Sequence, residues 1–176
     1  MNYFLIGYRG VGKTTIGMIM SIREGKRFYD TDELICENEG SSIADIFNNY
    51  GEKKFREIEK NVLRMLVNDL ANGNGAIVST GGGIVLDAIN REIIKKSGKC
   101  VYLFADNDII FKRIDKDEKR PALTNLKLKE EIEHILNIRK PIYESIADVS
   151  IDTGITGITE TADIIHNYIE RVENDV

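Results

Sequence analysis

Cysteine is scarce in this chain, basic residues are outnumbered by acidic ones, and no apolar run is long. Only Cys36 and Cys100 are present, far apart, with neither a C-x-x-C spacing nor a histidine beside them. A disulfide framework needs more cysteines in a shorter chain, so both read as small buried or half-buried residues in a reducing setting. Lys and Arg number 24 against 29 Asp and Glu, a formal net charge of −5. That gives no support to a nucleic-acid partner, whose footprint is a basic surface, yet it leaves room for a small basic pocket. No stretch approaches the roughly 18 apolar residues of a membrane span. The first residues lack the charged region and cleavage pattern of a secretory signal. A cytoplasmic protein with no membrane or nucleic-acid partner is expected. His134 and His166 are isolated within helical patterns, which argues against a metal or base role for either. Repeats, low-complexity tracts and linkers are also missing, and 176 residues make one domain of ordinary size.

What is present begins at Tyr3. Tyr3 to Ile6 is an apolar run long enough for one buried strand. It leads into Gly7-Tyr8-Arg9-Gly10-Val11-Gly12-Lys13-Thr14, which fits the P-loop pattern G-x-x-x-x-G-K-S/T. Such a loop wraps a polyphosphate because its N–H groups point inward and glycine lets the backbone come close. The helix that follows adds its positive end to the same site. Lys13 would reach the outer phosphates and the Thr14 hydroxyl would sit on Mg²⁺. The loop alone does not say which acceptor receives the phosphate.

The rest of the chain alternates between strand and helix patterns. Ile16, Ile19, Met20 and Arg23 mark one face of the first helix and its edge, with Gly25 as its stop. Arg27 to Asp30 reads as a second strand. Ser41 or Ser42 caps a helix over Ile43 to Tyr50, closed by Gly51. The longest amphipathic helix then carries Phe55, Ile58, Val62, Leu66 and Leu70. Ala76 to Ser79, Cys100 to Phe104 and Val149 to Asp152 are three further strands. Helices are expected near Asp87 to Lys96, from Asp106 or Asn107 through Ile114, and over Thr159 to Val172. A helix over Glu130 to Ser145 must be kinked or divided by Pro141. Five short strands alternating with helices predict an α/β fold, a parallel sheet covered on both faces. Ligands of such sheets bind beyond the carboxyl ends of the strands. Four of those ends carry polar or glycine-rich chemistry and would converge on one crevice.

At the second strand end stands Asp30-Thr31-Asp32. In extended chain, residues two apart point to one side, so both carboxylates would face the crevice. One can help hold Mg²⁺ through water and the other can accept a hydroxyl proton. Asp32 is alternatively an N-cap for a helix starting at Glu33. Thr80-Gly81-Gly82-Gly83 follows the third strand; three bare glycines suit close approach of a small substrate. Arg56 and Arg139 are the cations singled out in the helices, and Arg139 could fork onto a carboxylate. Arg120, before Pro121 in the charged stretch 115–129, could neutralise transition-state charge from a lid.

Together these residues give the whole chain a resemblance to the shikimate kinases, small P-loop kinases of aromatic amino-acid biosynthesis. The match covers Gly7 to Thr15, Asp30-Thr31-Asp32, Ser42 to Phe47, Phe55-Arg56-Glu57-Ile58-Glu59, Thr80 to Gly83, Arg120-Pro121 and Arg139-Lys140-Pro141-Ile142-Tyr143. The resemblance implies a single domain, 1–176, with a three-layer, nucleoside-monophosphate-kinase-like fold around a five-stranded parallel sheet. Within it, residues 33–60 form a substrate-binding subdomain and about 115–129 a lid. The implied reaction moves the γ-phosphate of ATP to the 3-hydroxyl of shikimate. Gly10, Val11, Gly12, Lys13, Thr14 and Thr15 would bind ATP, with Thr14 and Asp30 at Mg²⁺. Asp32 would bind the reacting hydroxyl as base. Arg56, Arg139 and Gly81 to Gly83 would hold shikimate, the arginines chiefly by its carboxylate. Arg120 would reach ATP from the lid, and Arg113 would stack near adenine. One region departs from the family: Gly154-Ile155-Thr156-Gly157-Ile158 replaces an adenine loop that often has a basic residue and a proline, leaving Thr156 as the side-chain candidate there. A gluconate kinase would share the P-loop and a strand-end aspartate without requiring the three glycines and two arginines. A nucleotide-dependent switch would not need a catalytic base. A monomer is expected, since no apolar run demands a partner.

Overall fold

The computed structural model describes residues 1–71, 73–114 and 126–175. Among them, five parallel strands make one sheet: β1 (Tyr3–Ile6), β2 (Arg27–Asp30), β3 (Ala76–Ser79), β4 (Lys99–Phe104) and β5 (Val149–Asp152), in the order β2-β3-β1-β4-β5. The helices are α1 (Lys13–Glu24), α2 (Thr31–Glu39), α3 (Ile43–Leu70), α4 (Ala88–Ser97), α5 (Asn107–Ile114), α6 (Leu128–Ile146) and α7 (Gly157–Asn174). A single 3-10 turn, Ile84–Leu86, precedes α4.

β1 lies at the centre, with Tyr3 opposite Ile77 of β3 and Lys99 of β4. Its side chains alternate between two cores, as the pleat requires. Tyr3 and Leu5 pack with Ile16 and Met20 of α1, Ile132 of α6 and Ile165 of α7. Phe4 and Ile6 pack with Leu63 and Leu66 of α3, Ile94 of α4 and Tyr143 of α6. A strand buried on both faces reads as an unbroken apolar run, which is why it was legible in sequence. A third, smaller cluster joins Ile35 of α2 to Ile46, Phe55, Ile58 and Val62 of α3. The chain first leaves β1 toward β2 and later crosses from β3 to β4 on the other side of β1. The loops diverge there, at the carboxyl ends of the strands, and open the crevice.

Several local expectations need correction. In α1, Ile16 and Met20 are buried but Ile19 is 38% exposed. Gly17 takes the inner position, where a Cβ would press on Phe28 and Leu5. α6 starts at Leu128 and continues through Pro141 without division. Proline removes one hydrogen bond, but Tyr143 and Ile146 beyond it are buried in the core, and their packing holds the last turn helical. α7 is two residues longer at each end than the pattern indicates. Other punctuation matches the expectations. Ser42 caps α3, its hydroxyl accepting from the Asp45 N–H at 3.1 Å. Gly51 breaks that helix's path with φ 75° and ψ 172°. Among the described residues, no helix is long and apolar enough to cross a membrane.

Candidate active site

The phosphate loop is shaped by its glycines. Gly7, Gly10 and Gly12 have φ of 140°, 80° and 97°, values that side chains rarely tolerate. At Gly7 a Cβ would also run into the Leu103 carbonyl. The loop thereby turns its N–H groups toward the start of α1, forming an anion nest at a helix N-terminus. Lys13 curls back over the loop, its Nζ donating to the carbonyls of Gly7 and Tyr8 at 2.9 Å each.

The Thr14 hydroxyl donates to Asp30 Oδ2 at 2.8 Å and lies 3.4 Å from Ser79 Oγ. The other Asp30 oxygen accepts from the Asp32 N–H at 2.9 Å. Asp30 is therefore the N-cap of α2, and Asp32 sits in the first helical turn. This corrects both the extended reading of Asp30 to Asp32 and the reading of Asp32 as a cap before Glu33. The physical reason is that Asp30 ends β2 with extended backbone, φ −114° and ψ 121°, the geometry from which a carboxylate reaches the first free amides. Both carboxylates nevertheless line the same cleft. A threonine hydroxyl beside a carboxylate, at the end of a phosphate loop, is a hard-oxygen donor set that fits Mg²⁺.

The cleft has a volume of about 590 Å³, and the ends of β2 and β3 and the loops after β1 and β5 reach it. Gly10 to Thr15, Asp30, Asp32, Gly82 and Arg113 are among its walls. Arg113 donates to the Thr153 hydroxyl at 3.0 Å, the Thr153 carbonyl at 2.8 Å and the Gly10 carbonyl at 3.3 Å. It thus ties the phosphate loop to the end of β5. The structure turns Thr156 inward: its hydroxyl donates to the Asp152 carbonyl at 2.9 Å and lies 2.7 Å from the Thr161 hydroxyl. Its neighbours Gly157 and Ile158 line the cleft instead. Arg120, with the stretch 115–125, lies outside the described residues.

A second cluster adjoins the cleft at Gly82 and Asp32. It contains Arg56, Gly81, Gly83 and Arg139, which do not line the phosphate cleft itself. Arg56 donates to Glu59 Oε2 at 2.9 Å and to Glu52 Oε1 at 3.2 and 3.3 Å. The glycines make room for charge. A Cβ on Gly81 would stand 2.5 Å from Asp32 Oδ1 and 3.3 Å from Glu59 Oε1; one on Gly83 would stand 2.5 Å from both terminal nitrogens of Arg56. Two further bonds fix the loop: the Gly81 N–H donates to the Thr31 hydroxyl at 2.8 Å, and the Tyr143 hydroxyl donates to the Gly82 carbonyl at 2.5 Å.

Burial pushes the Glu59 carboxyl above its ordinary value, and Arg56 offsets this only in part. Burial opposes the charge on Arg56, but the Glu59 and Glu52 carboxylates outweigh it and hold the guanidinium more firmly protonated. Burial also pushes the Tyr143 hydroxyl up to about 12, against the pull of Arg139, so it acts as a donor. Arg139, half-buried on α6, adds its field to both Glu59 and Tyr143. Glu59 and Tyr143 fall within the motifs of the family resemblance, but sequence alone assigns neither a role. The signal for Glu59 was available: it interrupts the apolar stripe Phe55, Ile58, Val62, and a carboxylate on a buried face needs a cation. Nothing comparable marked Tyr143, whose partner is a carbonyl 61 positions away.

Comparison with known proteins accords with this geometry. The family model described as shikimate kinase matches residues 9–172. A shikimate kinase of Chromobacterium violaceum is 40% identical over 152 residues, 86% of this chain and 80% of that protein. One from Actinobacillus pleuropneumoniae is 39% identical over 174 residues, 98% of this chain and 96% of that one. The solved structure of a shikimate kinase from Acinetobacter baumannii in complex with shikimate has a TM-score of 0.88 and 32% identity, covering 97% of this chain and 93% of that chain. With a phosphate loop, a strand-end carboxylate pair and a cationic glycine-walled recess in one crevice, the chain belongs to the shikimate kinase family and is an ATP-dependent kinase.

Proposed function

We propose that this chain transfers the γ-phosphate of ATP to the 3-hydroxyl of shikimate, with the labour divided between the two clusters. The observation that carries this reading is the position of Asp32. Its carboxylate lines the phosphate cleft and also lies against Gly81 of the neighbouring recess, where the two halves meet. The phosphate loop and Lys13 hold the nucleotide's outer phosphates, and Arg113 walls the nucleoside end. Arg56 and Arg139 take the shikimate carboxylate by charge-assisted forks. Gly81, Gly82 and Gly83 let the ring lie against backbone. Asp32 accepts the proton of the 3-hydroxyl as that oxygen attacks the γ-phosphorus, and the bond to the bridging oxygen breaks with its electrons leaving on ADP. Thr14 directly, and Asp30 through water, would hold Mg²⁺, which supplies charge neutralisation on the phosphate oxygens.

Residues 33–60 serve as the substrate-binding subdomain in this reading, and the presence of Arg56 and Glu59 there supports it. The lid expected at about 115–129 falls, through residue 125, outside the described residues. Two free thiols, Cys36 and Cys100, suit the proposed cytoplasmic setting, and the reading takes the enzyme as a monomer. A coupled ADP-release assay with Mg-ATP tests the acceptor across shikimate, gluconate and AMP. Turnover is expected on shikimate. Its absence, alongside turnover on gluconate or AMP, would overturn the reading.

A further inference from the structure

We propose that Tyr143 is a positioning residue of the acceptor recess, its hydroxyl setting the plane of the Gly82–Gly83 peptide; this rests on the acceptor reading above. Glycine has the widest choice of backbone conformations, so three in a row, Gly81 to Gly83, hold one shape only if anchored from outside. The Gly81 end is anchored on both sides of its residue. Its N–H donates to the Thr31 hydroxyl at 2.8 Å, and its carbonyl accepts from the Ile84 N–H at 3.2 Å. The Gly82–Gly83 peptide is anchored from α6 instead, by the Tyr143 hydroxyl, 2.5 Å from the Gly82 oxygen. A peptide unit is planar, so holding that oxygen also fixes the direction of the Gly83 N–H.

This peptide lies where the two halves of the site touch. A Cβ on Gly82 would stand 3.3 Å from the Gly7 carbonyl oxygen and 3.7 Å from the Tyr8 Cα, and one on Gly83 would stand 2.5 Å from both terminal nitrogens of Arg56. Tilting the peptide would therefore shift the wall of the recess against both the phosphate loop and that arginine. The anchor is stiff. Tyr143 is fully buried, and its ring stacks on Tyr102 with centroids 5.0 Å apart and planes 22° from parallel. A buried phenol needs a hydrogen-bond partner, and burial keeps this one protonated and able to donate. Arg139, one turn earlier on α6, acts on the same hydroxyl by charge and by a side-chain hydrogen bond. A hydroxyl has one proton and two lone pairs, so it accepts from Arg139 while it donates to Gly82. One oxygen thus ties the proposed carboxylate-binding arginine to the backbone that walls the ring.

A plainer role is that of a core tyrosine whose hydroxyl has merely found a partner. Tyr143→Phe separates the two, because the ring and its stacking stay. KM for shikimate should rise about tenfold and kcat fall about fivefold, since an acceptor on a loosened wall loses orientation, while KM for ATP stays within about twofold. Tyr143→4-aminophenylalanine returns a donor toward Gly82 but offers Arg139 only a poor acceptor, and it should recover most of both losses. Unchanged kinetic constants beside a lowered Tm would make the hydroxyl structural and overturn the proposal, as would a phenylalanine variant that does not fold. Losses that the amine fails to recover would assign the effect to Arg139 and overturn it too, and so would equal rises in both KM values. If the wild type turns over gluconate or AMP but not shikimate, the acceptor assignment fails, while the same KM split on the acceptor that does react still reads Tyr143.

Discussion

In the phosphate half of the cleft, eight consecutive residues, Gly7 to Thr14, do nearly all the shaping, and they do it with backbone. Three glycines at positive φ aim amides at one point, and a single side chain, Lys13, reaches back over them. The proposed acceptor half is the opposite case. Arg56 and Glu59 come from α3, the glycines from the loop after β3, and Arg139 and Tyr143 from α6. Those side chains carry the chemistry, and the backbone only yields space to them. Backbone amides offer the same surface to any phosphate, so the first half fixes what is transferred. A set of side chains organised around the Arg56–Glu59 ion pair fits one shape and charge, so the second half selects the receiver in this reading. Asp32 belongs to both.

If the halves are separable in this way, the largest effect should come from the residue they share. Asp32→Asn keeps the volume and the helix but removes the proton acceptor. The kcat for shikimate phosphorylation should fall on the order of 1,000-fold, with KM for ATP and for shikimate each within a few-fold. A steady-state matrix over both substrates reads this. A matching rise in either KM would make Asp32 a binding group and erase the distinction. Arg139→Ala tests one half alone. Loss of a charge-assisted fork should raise KM for shikimate about 100-fold and leave KM for ATP within about twofold. If both rise together, α6 serves the nucleotide as much as the acceptor.

The same division explains what was legible in sequence. A contiguous backbone motif is written in adjacent letters, so Gly7 to Thr14 could be read without a structure, as could β1, whose burial on both faces leaves an unbroken apolar run. Asp30 and Asp32 line the cleft for a reason other than alternation in extended chain: the carboxylate of Asp30 caps a helix that starts at Thr31, two residues before the start at Glu33 that the sequence offers. The acceptor recess depends on side chains separated by more than 80 positions, from Arg56 to Arg139 or Tyr143. Only family likeness gathered them, and no local rule assigned Tyr143 to the Gly82 carbonyl. Of the two outcomes expected at Pro141, division does not occur, because propensity is local whereas the burial of Tyr143 and Ile146 is tertiary.

Gly83→Ala probes the yielding backbone itself. The added Cβ would stand 2.5 Å from both terminal nitrogens of Arg56, which must move. They are the far end of a flexible side chain, so the fold should survive. Arg56 would turn away from the recess, and KM for shikimate should rise about tenfold, less than for outright loss of a charged contact. Nucleotide affinity should not change. An unchanged KM for shikimate would mean that Arg56 is held by Glu52 and Glu59 for structure alone.

The smallest effect should fall on stability and spare both halves. Asp87 caps α4, just beyond the acceptor glycines. Its Oδ1 accepts from the Ile89 N–H at 2.8 Å, and its Oδ2 takes Lys60 Nζ of α3 at 2.7 Å. The Lys60 hydrogen bond holds its carboxyl below the ordinary 3.8, with the Ile89 amide adding to the pull. Asp87→Ala removes the cap and should cost about 1 kcal/mol at neutral pH, lowering Tm by about 2–4 °C. The partly exposed ion pair adds little to that. The sign with pH follows from the depressed value: near and below 3.8 the unfolded chain binds the proton more readily, so acid removes this contribution from the wild type. The Tm gap between wild type and variant should therefore be full above that value and narrow as pH falls through the folded-state value. Since α3 carries Arg56, a rise in KM for shikimate in this variant would show that the Asp87 junction also positions the acceptor recess; no rise is expected. A KM for shikimate that stays constant while Tm drops would show that α3 is positioned by its apolar stripe against the sheet, with the ion pair contributing only to stability.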